Sequence, residues 1–147
     1  MLHRIVCGLA ALTLLAGVGC ASTFADPTGR TTALENAQRR YTQLVRWGEI
    51  RRASAYVEPD FREEFLSYEP FFEQIRFTDT DAEDVDLDAS QDTASVDVTY
   101  HAYSLATFQE KRILETQEWT RYDGIQNNWL VRPEIEEIVG AFRVETN

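Results

Sequence analysis

The residues that build familiar catalytic centres are scarce in this chain of 147 residues. It has two cysteines and two histidines. It contains no Cys-x-x-Cys pair, no His-x-x-x-His spacing, no glycine-rich phosphate loop and no Gly-x-Ser-x-Gly elbow. Zinc catalysis, nucleotide hydrolysis and triad hydrolysis rely on such arrangements. The sequence therefore argues against these reactions and predicts neither a cofactor nor a catalytic motif of a known type.

Basic residues are outnumbered by acidic ones. The chain has 14 Lys and Arg against 25 Asp and Glu, which gives a formal net charge of −11. A negative domain repels phosphate backbones, so nucleic acid is excluded as a partner class. Hydrophobic residues make up 44% and charged residues 27%, as in ordinary globular proteins. We predict one globular domain behind a separate N-terminal segment.

The N-terminal segment has the pattern of an export signal. Arg4 precedes a mostly apolar run at residues 5–18. This run is shorter than the roughly 20 residues that a membrane-spanning helix needs. It is typical of the apolar region of a secretory signal peptide. An uncleaved anchor helix is the alternative to cleavage.

The segment ends in the residues Leu-Ala-Gly-Val-Gly-Cys and resembles a bacterial lipoprotein signal. Gly17 departs from the aliphatic residue that is usual three positions before the cysteine of such signals. The resemblance implies a signal peptide at residues 1–19, attachment of acyl chains such as palmitate to Cys20, and a tether at residues 20–31. Two or more acyl chains would hold the protein firmly on a membrane.

The residue after Cys20 indicates the membrane to which the lipoprotein is sorted. Ala21 stands there instead of Asp, and by the same resemblance this implies the outer membrane, with the domain facing the periplasm. The alternative is an ordinary signal cleaved after Ala25, which would leave a soluble periplasmic protein.

Apolar spacing predicts two helices at the start of the domain at residues 32–147. A 3-and-4 spacing indicates a first helix at residues 32–57, which Pro59 ends. Asp60 is followed three residues later by Glu63, which predicts an N-cap for a second, shorter helix.

From Arg76 onward the apolar period changes to two. This predicts strands at residues 84–88, 94–108, 113–122 and 129–132. A last helix is indicated by apolar residues at helical spacing, namely Ile135, Ile138, Val139 and Phe142. Helices followed by an antiparallel meander make an α+β fold.

The strands carry a family resemblance. The residues Glu-Trp-Thr-Arg-Tyr-Asp-Gly at 118–124 and Asn-Trp-Leu-Val at 128–131, after the two helices, resemble the nuclear transport factor 2-like, cystatin-type cone over residues 32–134. The resemblance implies N-terminal helices packed on a curved antiparallel sheet. In enzymes of this fold, Asp, His or Tyr side chains occupy the central cavity.

An acidic segment at residues 79–92 matches the first half of a calcium-binding loop. Ala89 and Ser95 stand where that loop needs Gly and a bidentate Glu. Strand alternation explains the spacing of the acids without a metal, and charged residues on an edge discourage aggregation. We therefore predict a solvated acidic edge and no metal site.

His101 and Asp97 lie on the same face of a predicted strand. Together they are the candidate pair for acid–base chemistry. The opposite face is more apolar, so we expect His101 to point away from any cavity. A surface or subunit-contact histidine is the preferred interpretation.

Aromatic residues offer a different candidate pocket. Five side chains could line it, with Glu115 and Gln117 as its polar groups: Tyr41, Tyr100, Glu115, Gln117 and Trp119. Large aromatics are in the first place core residues, so a packed core is the competing interpretation. Nothing in the sequence says which face of the strand carrying Glu115 is buried.

Three functions remain open. The leading hypothesis is a lipid-anchored envelope protein that acts as a small-ligand-binding or protein-interaction module and is not an enzyme. The second is an acid–base enzyme of isomerase or dehydratase type within a cone cavity. The third is a self-associating structural protein, a homodimer formed through the open sheet face around Thr99, His101 and Tyr103.

The anchor is tested by substituting Cys20→Ser in a bacterial host supplied with labelled palmitate. We expect the label on the protein to be lost, because the acceptor thiol is removed. Cys7→Ser is the matched control, since Cys7 lies in the apolar run, and should keep the label. Unchanged labelling of Cys20→Ser would refute lipidation at this residue.

Overall fold

The computed structural model describes residues 28–88, 90, 92–122 and 128–143. The signal segment, Cys20, the cleavage alternative at Ala25 and the residues Asp123 and Gly124 of the family motif lie outside the described residues. Nowhere in the described part is a helix both long and apolar enough to cross a membrane.

Five helices and five strands make up the described fold. The helices are α1 (Arg30–Arg46), α2 (Ile50–Ala53), α3 (Arg62–Ser67), α4 (Glu69–Phe72) and α5 (Ile135–Phe142). The strands are β1 (Ile75–Ala82), β2 (Asp86–Leu87), β3 (Thr93–Ser104), β4 (Glu110–Tyr122) and β5 (Asn128–Arg132). Short 3-10 turns at Ser54–Tyr56 and Pro59–Phe61 join α2 to α3.

The strands form one antiparallel sheet in the order β1-β3-β4-β5, with β2 added against β3. One face of β3 is buried at every second residue, namely Ala94, Val96, Val98, Tyr100 and Ala102, as a period of two requires. The helices cover this face of the curved sheet. The predicted α+β fold, with N-terminal helices on a curved antiparallel sheet, is confirmed.

The first helix is interrupted, so the prediction of one helix over residues 32–57 is wrong. Gly48 adopts a left-handed conformation with φ of 71°. Its N–H donates to the Val45 carbonyl at 2.9 Å, and the Glu49 N–H donates to the Leu44 carbonyl at 2.9 Å. These bonds close the end of α1 in the manner of a glycine C-cap. The chain then restarts as α2 in a new direction.

The predicted N-cap at Asp60 is also wrong. Asp60 lies inside the 3-10 turn Pro59–Phe61, and no side-chain cap hydrogen bond is made at the start of α3. Pro59 has a fixed φ suited to the first turn of a helix. The turn therefore begins before Asp60, whose backbone already has the helical conformation that a capping residue lacks.

Two predicted strands are shorter than expected. β3 ends at Ser104, because the Ser104 carbonyl accepts the Phe108 N–H at 2.8 Å and its hydroxyl accepts the Ala106 N–H at 3.1 Å. Phe108 consequently lies outside the sheet and is 73% exposed. Within the predicted strand at residues 84–88, only Asp86–Leu87 pair with a neighbouring strand. The last helix matches its prediction, with Ile135, Ile138 and Val139 buried.

Two glycines allow a matched test of the backbone at the helix break. Gly48→Ala should lower the free energy of unfolding by about 1 kcal/mol, because a Cβ is disfavoured in the left-handed conformation. Gly140→Ala in α5 should raise it by about 0.5–1 kcal/mol through helix propensity. Apart from chain neighbours and the local helix backbone, no atom of the described residues lies within 4 Å of a Cβ added at either site. The two variants therefore differ mainly in the backbone conformation at the substituted residue. Urea unfolding measures both, and changes of the same sign would contradict this assignment.

Candidate functional site

The five side chains proposed for a candidate pocket lie together in the interior of the protein, where their burial fits the competing interpretation of a packed core. Tyr41 comes from α1 and Tyr100 from β3, whereas Glu115, Gln117 and Trp119 alternate along β4 and so share one face. Each exposes at most 1% of its surface. We call this group the buried centre. It contains a carboxyl, an amide, two phenols and an indole.

Hydrogen bonds join the polar members of the buried centre. The Tyr100 hydroxyl donates to Glu115 Oε2 at 2.9 Å, and Gln117 Nε2 donates to the same oxygen at 2.9 Å. Gln117 Nε2 also lies 3.1 Å from the Tyr100 hydroxyl and 3.3 Å from Thr42 Oγ1. One carboxylate oxygen therefore receives two donors, which hold the Glu115 side chain in one orientation.

Two polar residues of α1 extend this network and were not found from the sequence. Gln38 Nε2 donates to Thr42 Oγ1 at 3.1 Å, and both side chains are buried. They stand four residues apart on the helix face that also carries Leu34 and Tyr41. Helical spacing alone would have placed them inside. Because both residues are polar, the sequence indicates a solvent-facing position for them. Their burial is therefore not predicted, although the helical spacing agrees with it.

Burial sets the protonation state of the centre. Desolvation raises the pKa of Glu115, while the hydrogen bonds from Gln117 and Tyr100 and the nearby backbone of Glu134 oppose part of that rise. Desolvation, reinforced by the Glu115 charge, also raises the pKa of Tyr41 and Tyr100 well above 10.0. Both phenols therefore stay protonated at neutral pH. Glu115 holds its proton to a higher pH than an exposed glutamate does.

Several buried polar atoms of the centre are left without a hydrogen-bond partner among the residues that the structure describes. These atoms are Tyr41 OH, Glu115 Oε1, Gln117 Oε1 and Trp119 Nε1. Leaving one such group unpaired costs about 1–3 kcal/mol. All four belong to the buried centre, which concentrates unmet hydrogen-bonding capacity at one place. Such a place is a candidate for function.

A surface cleft of about 370 Å³ lies next to the buried centre, between α3 and the segment that joins β5 to α5. Phe65 and Glu134 line this cleft. The Phe65 ring centroid is 6.1 Å from that of Tyr41, and the Glu134 backbone lies beside the Glu115 carboxyl. One ring and one stretch of backbone thus belong both to the cleft wall and to the surroundings of the centre.

His101 and Asp97 lie on the other face of β3. His101 is half-buried between Tyr100 and Ala102, which are fully buried and point to the interior. Asp97 accepts a hydrogen bond from Thr116 Oγ1 at 2.7 Å. The expectation that His101 points away from the interior is therefore confirmed, and the pair does not join the buried centre.

Asp88 of the acidic segment uses its carboxylate for local structure. Asp88 accepts hydrogen bonds from the Ser90 hydroxyl and from the backbone N–H groups of Asp92 and Thr93. These bonds, that of Ser90 first, lower the pKa of Asp88 to about 2. Across the described residues, no group of three or more His, Cys, Asp or Glu side chains is placed to hold a metal ion.

The raised pKa of Glu115 predicts a pH-dependent stability difference. The folded protein binds this proton more tightly than the unfolded chain, so the wild type loses stability as the pH rises above the ordinary value of 4.5. The glutamine side chain of the variant Glu115→Gln cannot ionise. The stability of Glu115→Gln relative to the wild type should therefore increase with pH above 4.5, as measured by urea unfolding at several pH values.

Glu69→Gln is the control variant, because its stability relative to the wild type should change with pH in the opposite direction. Arg51 lowers the pKa of Glu69 through a hydrogen bond, so this carboxylate contributes stability above its unfolded pKa and loses it as the pH falls. The relative stability of Glu69→Gln should decline with rising pH below 4.5 and stay level above it. A pH-independent difference for Glu115→Gln would contradict the assignment.

Similarity to a solved structure supports the assignment of the fold. No family model and no curated protein matches this sequence. Among solved structures, the chain is similar to a "putative polyketide cyclase" from Xanthomonas campestris pv. campestris, with a TM-score of 0.51 and 10% sequence identity. The match covers 76% of this chain and 98% of that chain. The chain thus has an α+β fold of the nuclear transport factor 2-like type.

Proposed function

We propose that this protein is an acid–base enzyme of isomerase or dehydratase type, with Glu115 as the group that takes up and returns a proton. The observation that carries the proposal is a fully buried carboxyl with a raised pKa and one oxygen that has no hydrogen-bond partner among the described residues. A base works best when its pKa lies near the working pH. Burial moves the Glu115 pKa in that direction.

The neighbours of Glu115 suit the same role. Tyr100 and Gln117 both donate to Oε2, which leaves Oε1 to exchange a proton with a substrate. Tyr100 stays protonated, because desolvation raises its pKa. It can therefore donate a hydrogen bond to Glu115 in both charge states of the carboxyl. Tyr41 OH, also unpartnered among the described residues, supplies a donor for a developing negative charge on a carbonyl oxygen.

The cleft beside Phe65 and Glu134 is the route by which we propose that a substrate reaches the centre. Its volume of about 370 Å³ falls in the range of small-molecule sites. The Phe65 ring must turn to admit a ligand, since Tyr41 lies directly against it. Closure of the ring behind the substrate would exclude water, which strengthens the interactions of charged groups inside.

The location of the protein is a separate proposal that rests on the sequence. Cys20 and the preceding signal favour a lipid anchor on the periplasmic side of the outer membrane, with a soluble periplasmic protein as the alternative. A binding module without catalysis remains the competing function, because the same cleft would serve it. Dimerisation through the outer sheet face stays a prediction.

Proton exchange with heavy water tests the enzyme. Wild-type protein, as the full chain in detergent, should accelerate deuterium incorporation next to the carbonyl of cyclic or aryl ketones, as followed by NMR. Glu115→Gln should reduce the rate by about 100-fold or more, as expected for loss of a general base. Glu118→Gln is the matched control on the exposed face of β4 and should keep the rate.

The pH profile adds a second measurement. The wild-type rate should rise with pH through the raised pKa of Glu115 and then level off. If the wild type binds ketones without exchanging their protons, the enzyme proposal is wrong and the binding module takes its place. If Glu115→Gln exchanges as fast as the wild type, Glu115 is not the base.

A further inference from the structure

The cleft beside the buried centre combines aromatic walls with an acidic rim. Its walls include the rings of Phe61, Phe65 and Tyr68. Four glutamates and a single arginine carry the formal charges of its lining, namely Glu64, Glu134, Glu136, Glu137 and Arg132. The lining therefore has an excess of negative charge over an apolar floor.

The two arginines near the cleft, Arg132 and Arg143, offset only part of the charge of its four glutamates. The Arg132 guanidinium lies 4.5 Å from the centroid of the Phe61 ring and 3.8 Å from Glu118 Oε2, which is outside the cleft. Arg143 lies 3.2 Å from Glu136, and both side chains are largely exposed. Solvent screens such pairs strongly.

Most of the rim glutamates are available to a ligand. The Tyr68 hydroxyl donates to Glu136 Oε1 at 2.7 Å, which holds one carboxylate against an aromatic ring. Glu64, Glu134 and Glu137 form no ion pair with any residue that the structure describes. Carboxylates beside aromatic faces attract organic cations, because both the charge and the ring quadrupole favour a positive group.

A second observation connects the cleft to a ligand. Glu115 Oε1 is fully buried and has no hydrogen-bond partner among the described residues. The backbone of Glu134, which lines the cleft, lies beside this carboxyl. The Glu115 carboxyl therefore lies behind the backbone that lines the cleft.

We infer that the cleft binds a small organic amine, with the protonated nitrogen at the rim near Glu64 and Glu137 and the apolar body against Phe65. This inference rests on the proposed function and names its substrate class: a carbonyl compound that carries a protonated amino group. Organic anions are disfavoured by the acidic rim, and neutral compounds of the same shape gain the apolar contacts alone.

Binding of tryptamine and tryptophol tests this inference, since the two probes share the indole body and differ in the amino or hydroxyl group. Calorimetry with the full chain in detergent should show tryptamine binding about tenfold more tightly than tryptophol, as a cation against carboxylates and rings implies. The preference should shrink at high salt, because the rim is exposed.

A comparison of variants at the rim of the cleft with a variant elsewhere tests whether the amine binds in the cleft. The double variant Glu64→Gln with Glu137→Gln should lose most of the preference for tryptamine while binding tryptophol as before. Glu35→Gln removes the same kind of charge from an exposed position on α1 and should leave the preference intact. Equal binding of the two probes by the wild type, or equal preferences in the double variant and Glu35→Gln, would overturn the inference.

Different results would refute the amine-binding inference and the proposed acid–base function. Glu115→Gln should keep the preference for tryptamine and lose deuterium exchange. Exchange of neutral ketones without any preference for the amine would refute the amine class and leave the enzyme standing. A preference for the amine in a wild type that exchanges neither ketones nor amino ketones would refute the enzyme and leave an amine-binding cleft.

Discussion

The burial of one carboxyl group, Glu115, is the constraint on which the interior of this protein depends. An ionised carboxylate in an apolar interior is costly unless it is paired or hydrogen-bonded. Tyr100 and Gln117 supply two donors to one of its oxygens. The antiparallel pairing of β3 with β4 makes this possible, because it sets Val98 opposite Glu115 and Val96 opposite Gln117 and turns all of these side chains inward.

Aromatic packing keeps the surroundings of Glu115 dry. Tyr41 packs edge-on against Trp119 with ring centroids 5.9 Å apart, and Phe77 lies 5.2 Å from Tyr100. Further ring contacts continue from Phe77 through Phe72 and Phe71 to Phe142 in α5. Offset and edge-on pairs of this kind stabilise a core beyond their area alone. The same low-polarity environment raises the Glu115 pKa, so packing and chemistry have one physical origin.

The two faces of β4 differ in burial and in the proposals that rest on them. Glu115, Gln117 and Trp119 point to the interior, whereas Leu114, Thr116 and Glu118 point away from it. Leu114 is 54% exposed on the outer face, on the side where self-association was predicted. The proposed acid–base chemistry and the predicted self-association would therefore use opposite sides of one sheet and different residues.

The alternation of the strands, the last helix and the α+β class follow from the sequence alone. The sequence also pointed to the five residues of the buried centre, but it left open whether they line a pocket or pack as a core. It did not determine which face of β4 is buried, since a period of two marks two faces and only the covering helices distinguish them. The helix break at Gly48 was hidden by apolar spacing that continues beyond it. The cleft was decided by tertiary structure alone, because its walls come from residues 61–68 and 132–137, and contacts between segments so distant in the chain leave no local pattern.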